Sequence, residues 1–296
     1  MISRSHLLAA VALILYWSSA VATATASPSA TPANAETVDR LYRLDCGRSV
    51  ANDESVWTPG ENVGKSIEFS STCYLIRRGK EVLMWDTGVP EQTIGDPKGW
   101  STLPNLIVYH LDKTISSQLA EIGLSPNDVN YLLVSHTHGD HIGNVGLLPN
   151  ATVVMQKAEY DWIYAPPPSD PNLNTLVIFA RTLLGHPNRL ELISGDVDLF
   201  RDSSVILLST PGHTPGSQSL MVHLKNTGYV ILSGDVAHLE DNFNRDIVPA
   251  LNVGKAASIA SMERIKGLMA KFHAMLLINH DKRQTDLLKL LPDYYD

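Results

Sequence analysis

Residues 135–141 read Ser-His-Thr-His-Gly-Asp-His and follow directly on a short apolar run, Tyr131–Ser135, that has the texture of a strand. Three imidazoles and one carboxylate inside six positions cannot simply be packed away, because each unpaired polar group taken from water costs about 2–7 kcal/mol. In extended backbone the side chains of His136 and His138 project to one side. Gly139 then permits a sharp turn that brings Asp140 and His141 back towards them. With 11 His among 296 residues, chance rarely writes such a string. Nitrogen and oxygen donors at this density suit a first-row transition metal, and imidazole with carboxylate suits zinc in particular.

Further donors recur in the same setting. His213 lies in Thr210-Pro211-Gly212-His213-Thr214-Pro215-Gly216, just past an apolar run at Val205–Ser209. Asp235 follows the run Tyr229–Leu232, and His280 follows the run Met275–Asn279. Each alone reads as an ordinary loop residue. Together they put a donor at the ends of four strands, which is where an α/β sheet gathers its ligands. The remaining pattern agrees. Cys73–Arg77 and Val82–Asp86 read as strands joined at Arg78-Gly79, and Leu220–Leu224 pairs with Tyr229–Leu232 through an Asn226-Thr227-Gly228 turn. Ile115, Leu119 and Ile122 have helical spacing, with Gly123 as a stop, and Ile259, Met262, Ile265, Met269 and Phe272 form a second, core-facing helical stripe. Strands with helices interspersed predict an α/β layered fold.

The HxHxDH…H…D…H pattern resembles the metallo-β-lactamase superfamily at every position. The resemblance implies the four-layer αββα sandwich with two metal ions, zinc or else cobalt, manganese or iron, in a cleft at one edge. It assigns His136, His138 and His213 to one metal, Asp140, His141 and His280 to the other, and Asp235 as a bridge. Asp86, in Trp85-Asp86-Thr87-Gly88, matches a buried aspartate that orients a ligating imidazole by accepting its other N–H. Within the superfamily the chain is most similar to N-acyl-homoserine-lactone lactonases, from about Leu41 to the C-terminus. The matching stretches include LDCGRS, WTPGENVG, DTGVPE, SHTHGDHIGN, AEY at Ala158–Tyr160 and TPGHTPGSQSL. That likeness implies ring opening by a metal-bridging hydroxide, with Asp140 carrying the proton to the leaving alkoxide. One position departs. Three residues after the bridging aspartate those lactonases commonly place a tyrosine, and here stands His238, which can donate a hydrogen bond to a developing oxyanion.

The first residues differ from the rest. Arg4 and His6 precede an apolar run, Leu7–Trp17, and small residues follow from Ala20 to Ala26. This describes a secretory signal peptide over residues 1–26, cut after Ala22, Ala24 or Ala26, then a Pro/Ser/Ala-rich linker over 27–36 and a hydrolase domain over 37–296. The apolar run is shorter than the ~20 residues a membrane span needs. The expected product is therefore periplasmic or secreted, without stable membrane insertion. Net charge is −8 with no basic cluster, which argues against a nucleic-acid partner. The resemblance leans towards a homodimer. Cys46 and Cys73 are the two cysteines. They could pair after export, but Cys73 lies in the apolar run CYLI and reads as a buried free thiol.

The expected substrate is a small ester or lactone, above all an N-acyl homoserine lactone. Trp57, Tyr160 and Trp162 are the candidate walls for an acyl chain, with Tyr164 and Phe179 nearby, around the Pro166-Pro167-Pro168 stretch. A phosphotriesterase or arylesterase is the alternative, because a histidine at 238 also resembles the organophosphate hydrolases of the superfamily. A zinc β-lactamase would place cysteine where Asp235 stands. A non-enzyme, an exported protein that sequesters metal or signal, could dispense with the proton-handling carboxylate, and here every donor is present.

Overall fold

In the larger sheet, the two twelve-residue strands β1 (Arg40–Ala51) and β2 (Ile67–Arg78) pair antiparallel. β3 (Glu81–Trp85) continues antiparallel beside β2, and β4 (Ile107–His110) pairs antiparallel with β1 at the edge. On the far side of β3 run the parallel strands β5 (Tyr131–Leu133), β6 (Thr152–Gln156) and β7 (Arg189–Ile193). The smaller sheet holds β8 (Val197–Asp198), β9 (Val205–Ser209), β10 (Gln218–Leu224), β11 (Gly228–Leu232) and β12 (Met275–Leu277). Strand orders are β4-β1-β2-β3-β5-β6-β7 and β12-β11-β10-β9-β8. This computed structural model describes residues 36–165 and 171–296. The expected signal peptide, residues 27–35 of the expected linker, and Pro166-Pro167-Pro168 lie outside the described residues.

Period-two alternation decides which face of each strand is buried against what. On β2, Tyr74 and Ile76 point at the smaller sheet while Leu75 points away from it. On β10, Leu220 and Val222 point at the larger sheet while Met221 points outward. The inner faces meet in one core with Trp85, Leu133, Leu207 and Leu232 among its fully buried members. The helices α1 (Ile115–Glu121), α3 (Lys157–Tyr164) and α4 (Pro171–Leu184) cover the outer face of the larger sheet through Ile115, Leu119, Ile163, Val177 and Ala180. α6 (Lys255–Phe272) covers the smaller sheet through Met262 and Ile265, the centre of the helical stripe read in the sequence. The result is helix, sheet, sheet, helix, the expected four-layer αββα arrangement. Three further short helices, α2 (Gly139–Ile142), α5 (Glu240–Arg245) and α7 (Lys282–Thr285), contain or closely follow candidate ligands at strand ends. No helix among the described residues is long and apolar enough to cross a membrane.

The cysteines correct the sequence reading. Cys46 and Cys73 form a disulfide, with their Cα atoms 5.7 Å apart. Cys73 is indeed fully buried, but so is its partner. β1 and β2 are neighbours, and the register shift between Asp45 and Arg48 sets Cys46 beside Cys73 on the face covered by the helices. Nothing in the sequence paired β1 with β2, so the apolar surroundings of Cys73 outweighed the alternative that the two cysteines pair after export.

Candidate metal centre and cavity

Four strand ends deliver the candidate ligands to one edge of the sandwich, and a fifth delivers the aspartate behind them. β3 leads to Asp86, β5 leads to His136 and His138, β9 leads into the turn carrying His213, β11 leads to Asp235, and β12 leads to His280. Gly139 opens α2, which returns Asp140 and His141 to the cluster as the sequence anticipated. A Cβ on Gly139 would lie 2.5 Å from the Trp100 ring, so glycine is what allows that indole to sit over the turn. All seven expected ligands are brought together. Potential ligand atoms of His136, His138 and His213 lie within 4.8 Å of one another, and so do those of Asp140, His141 and His280. Asp235 stands between the groups: its carboxylate is 3.2 Å from Nε2 of His213, 3.2 Å from Nε2 of His280 and 3.3 Å from Nε2 of His141.

Outward hydrogen bonds show which nitrogen of each ring is free to bind. The Nδ1–H of His280 donates to the Ser70 carbonyl at 2.7 Å, and that of His213 to Oδ1 of Asn252 at 2.9 Å. His141 gives its Nδ1–H to Asp86 at 2.8 Å. Ser135 donates its hydroxyl to Asp86 and accepts from Nδ1 of His136 at 3.0 Å. Each ring has thus given one N–H to an outer acceptor and turns its Nε2 inward. Among the described residues, Nε2 of His136 is buried without a hydrogen-bond partner, as is Oδ1 of Asp235. His138 faces inward through Nδ1, 2.9 Å from Nε2 of His213. Five inward-facing ring nitrogens gathered around the carboxylates of Asp140 and Asp235 form a donor set that suits divalent cations, so the residues fit a pair of metal ions.

The electrostatics differ between the two halves. Burial holds His136 and His138 well below the usual histidine range and His213 down to about 4, so these three rings are neutral and ready for metal. Burial also opposes charge on His141 and His280, but the carboxylates of Asp235 and Asp140 outweigh it and lift both above the ordinary value. Metal entering that half must displace protons. Burial likewise disfavours the Asp235 anion, yet the imidazoles of His280, His141, His238 and His136 hold it well below the usual carboxylate range.

A cavity of about 310 Å³ opens directly above this cluster, with His138, Asp140, His213, Asp235, His238 and His280 in its floor. Its walls are largely apolar, with Trp57 and Phe69 on one side, packed at 5.2 Å, and Trp100, Leu103 and Leu251 elsewhere. Trp57 is therefore where the sequence placed it. Tyr160 and Trp162 are not among the cavity lining. They pack on the core beneath α3, because that helix turns Glu159 and Ile163, not its aromatic residues, into the protein. Tyr164 is exposed, and Phe179 supports the wall from behind, 5.2 Å from Trp100.

Sequence reading missed Trp100 and Tyr109, which line the cavity from the stretch leading into and through β4. Burial, with the nearby carboxylates of Asp140 and Asp235, pushes the pKa of the Tyr109 phenol well up. The apolar run Ile107–Tyr109 was the available signal, since a short strand there puts alternate side chains on the cavity side. His238 lies in the floor with Nε2 3.2 Å from Asp235, stacks on His280 at 5.2 Å, and keeps a buried Nδ1 without a partner among the described residues.

The sequence profile of the metallo-beta-lactamase superfamily matches residues 67–272. An N-acyl homoserine lactonase of Bacillus sp is 29% identical over 269 residues, covering 87% of this chain and 99% of the relative. The N-acyl homoserine lactonase AttM of Azorhizobium caulinodans is 28% identical over 264 residues, covering 87% and 98%. Among solved structures, an N-acyl homoserine lactone hydrolase with the product N-hexanoyl-L-homoserine at its catalytic metal centre superposes with a TM-score of 0.75 at 27% identity, over 88% of this chain and 100% of that one. AidC, a dizinc quorum-quenching lactonase, shares the fold with a TM-score of 0.66 at 17% identity, over 84% and 92% of the two chains.

Proposed function

The chain belongs to the metallo-beta-lactamase superfamily, and from that premise we propose that it is an exported dinuclear metal hydrolase that opens the ring of N-acyl homoserine lactones and so silences quorum sensing. One observation carries the reading: the inward-facing nitrogens of His136, His138, His141, His213 and His280 surround Asp235 at the floor of an apolar cavity. Relatives named as lactonases, similar along nearly their whole length, support the choice of substrate.

His136, His138 and His213 would hold one cation, Asp140, His141 and His280 the other, and Asp235 would serve both. Zinc suits this donor set, and cobalt, manganese or iron can replace it. When bound, such a pair supplies Lewis acidity and lowers the pKa of water from 15.7 towards ~7, making hydroxide available at neutral pH. The protein's own groups do the rest. Asp140, at the cavity floor and 3.7 Å from Nε2 of both His141 and His280, takes the proton of the attacking water and passes it to the leaving alkoxide. A positioned acid of this kind contributes ~10²–10⁴ in rate. His238 donates a hydrogen bond to the oxygen that becomes negative as the ring carbonyl is attacked. Trp57, Phe69 and Leu103 enclose the acyl chain and exclude water from the carbonyl. Export rests on the composition of residues 1–26.

His238 also favours a second reading. It is a fifth imidazole around Asp235, grouped with His213, and a floor richer in nitrogen donors suits a phosphotriester oxygen as well as a carbonyl. Purified protein loaded with zinc, cobalt or manganese separates the two when offered short- and long-chain acyl homoserine lactones, a paraoxon-type triester, an aryl ester and a cephalosporin. Lactone opening well ahead of triester cleavage is the expected ranking. The reverse ranking replaces the lactonase reading with the phosphotriesterase one.

A further inference from the structure

The AEY stretch places Glu159 in the first turn of α3, where its carboxylate has no exposure to solvent and touches no ligand. Its four hydrogen bonds come from two loops alone. Oε1 accepts from the backbone N–H of Thr137 at 2.9 Å and from its hydroxyl at 2.7 Å. Oε2 accepts from the hydroxyl of Thr214 at 2.6 Å and from the N–H of Gly216 at 3.0 Å. Thr137 separates His136 from His138, and Thr214 follows His213. One carboxylate therefore ties together the two loops that carry the three-histidine half of the centre. The β9–β10 turn is pressed close to achieve this, since a Cβ on Gly216 would lie 2.1 Å from the Glu159 nitrogen.

We propose that Glu159 is a positioning residue that sets the separation of these two loops and thereby the metal affinity of the His136–His138–His213 half, independently of the other half. The inference rests on the dinuclear reading above. The other half has its own supports, Asp86 on His141 and the Ser70 carbonyl on His280, and Glu159 reaches neither. Burial pushes the Glu159 pKa up, against the pull of the donors from Thr214, Thr137 and Gly216. A buried acid is a costly way to join two loops unless its geometry is needed. The geometry is hard to imitate, because each oxygen accepts one backbone N–H. The amide of Glu159→Gln must set its NH₂ against one of those N–H groups whichever way it is turned.

Stepwise titration of metal-free protein with Zn²⁺ under chelator competition, repeated with Co²⁺ and read by its visible absorption, tests this. The wild-type protein takes up two equivalents. In Glu159→Gln one equivalent weakens ~10–100-fold, the same one that disappears in His213→Ala, and the second keeps its wild-type affinity. Thr137→Val and Thr214→Val, which retain both backbone N–H bonds, weaken that equivalent by smaller factors and serve should Glu159→Gln not fold. Two unaltered equivalents in these variants, or equal weakening of both, overturn the inference alone. A wild-type protein that takes up no metal overturns the functional reading and this inference with it.

Discussion

The Asp86 carboxylate accepts the Nδ1–H of His141 at 2.8 Å and the hydroxyl of Ser135 at 2.7 Å on the same oxygen, Oδ2. Its other oxygen accepts the Ser135 backbone N–H at 2.7 Å. To reach these partners Asp86 adopts φ of +58°, a left-handed conformation that side-chain-bearing residues seldom take and that surrounding structure must enforce. All three of these bonds are thus directed at Ser135 and His141, the groups that present the candidate ligands.

Asp86→Asn is therefore expected to damage the centre without removing a ligand. An amide nitrogen in place of Oδ2 faces the His141 Nδ1–H as donor against donor, which drives the ring's proton to Nε2, the atom that must offer a lone pair. Turned the other way, it opposes the Ser135 N–H. Metal affinity should fall ~10–100-fold, read by metal content after dialysis against a weak chelator. Full retention of two ions would remove Asp86 from this role.

His238→Ala separates assisting the carbonyl from holding metal. As a hydrogen-bond donor to the developing oxyanion, its loss should lower kcat ~10²–10³-fold with two ions still bound. Because Nε2 lies 3.2 Å from Asp235, the metal content must be measured on the same preparation. Wild-type turnover in this variant would end the oxyanion role, and loss of an ion would mark His238 as a ligand.

The Cys46–Cys73 disulfide closes a loop across a separation of 27 residues. Loop-closure entropy for that span predicts a stabilisation of about 3–4 kcal/mol. The bond lies in the core between the larger sheet and its helices, away from the metal cavity. Cys46→Ser/Cys73→Ser should lower the thermal midpoint by roughly 10 °C while leaving KM for a lactone unchanged. A midpoint that does not move would mean that the reduced protein folds as well as the oxidised one.

How much of this was legible depends on whether a cue was local. β9 at Val205–Ser209 and the Ile115–Glu121 helix were readable because their apolar patterns and flanking stops lie within a few residues. The convergence of the candidate ligands was readable because metal chemistry demands unusual residue types at strand ends. β1 was not, since Arg40, Arg43 and Arg48 interrupt its apolar positions and only its pairing with both β2 and β4 makes it central. The cavity walls were legible at Trp57 and not at Trp100, because a wall assembled from separate loops has no periodicity. Tyr160 and Glu159 show the same limit: one helix carries both, and only the docking of α3 decides that the acid points in and the aromatic side chain packs on the core.

Tyr74, on the inner face of β2, links the core to alkaline stability. Burial pushes its phenol up from 10.0 to about 12. Below pH 10 the group is neutral in both folded and unfolded chains, and its contribution is fully present. Between pH 10 and about 12 the unfolded chain releases the proton while the folded chain keeps it, so stability falls as pH rises through this window. Two units of pKa correspond to roughly 2–3 kcal/mol. Tyr74→Phe has no proton to lose and should be spared that part of the decline. Urea unfolding of both proteins at pH 9 and at pH 11.5 should show the variant gaining on the wild type by about 2 kcal/mol. A stability difference that is the same at both pH values would mean that the Tyr74 phenol ionises as readily in the fold as in the open chain.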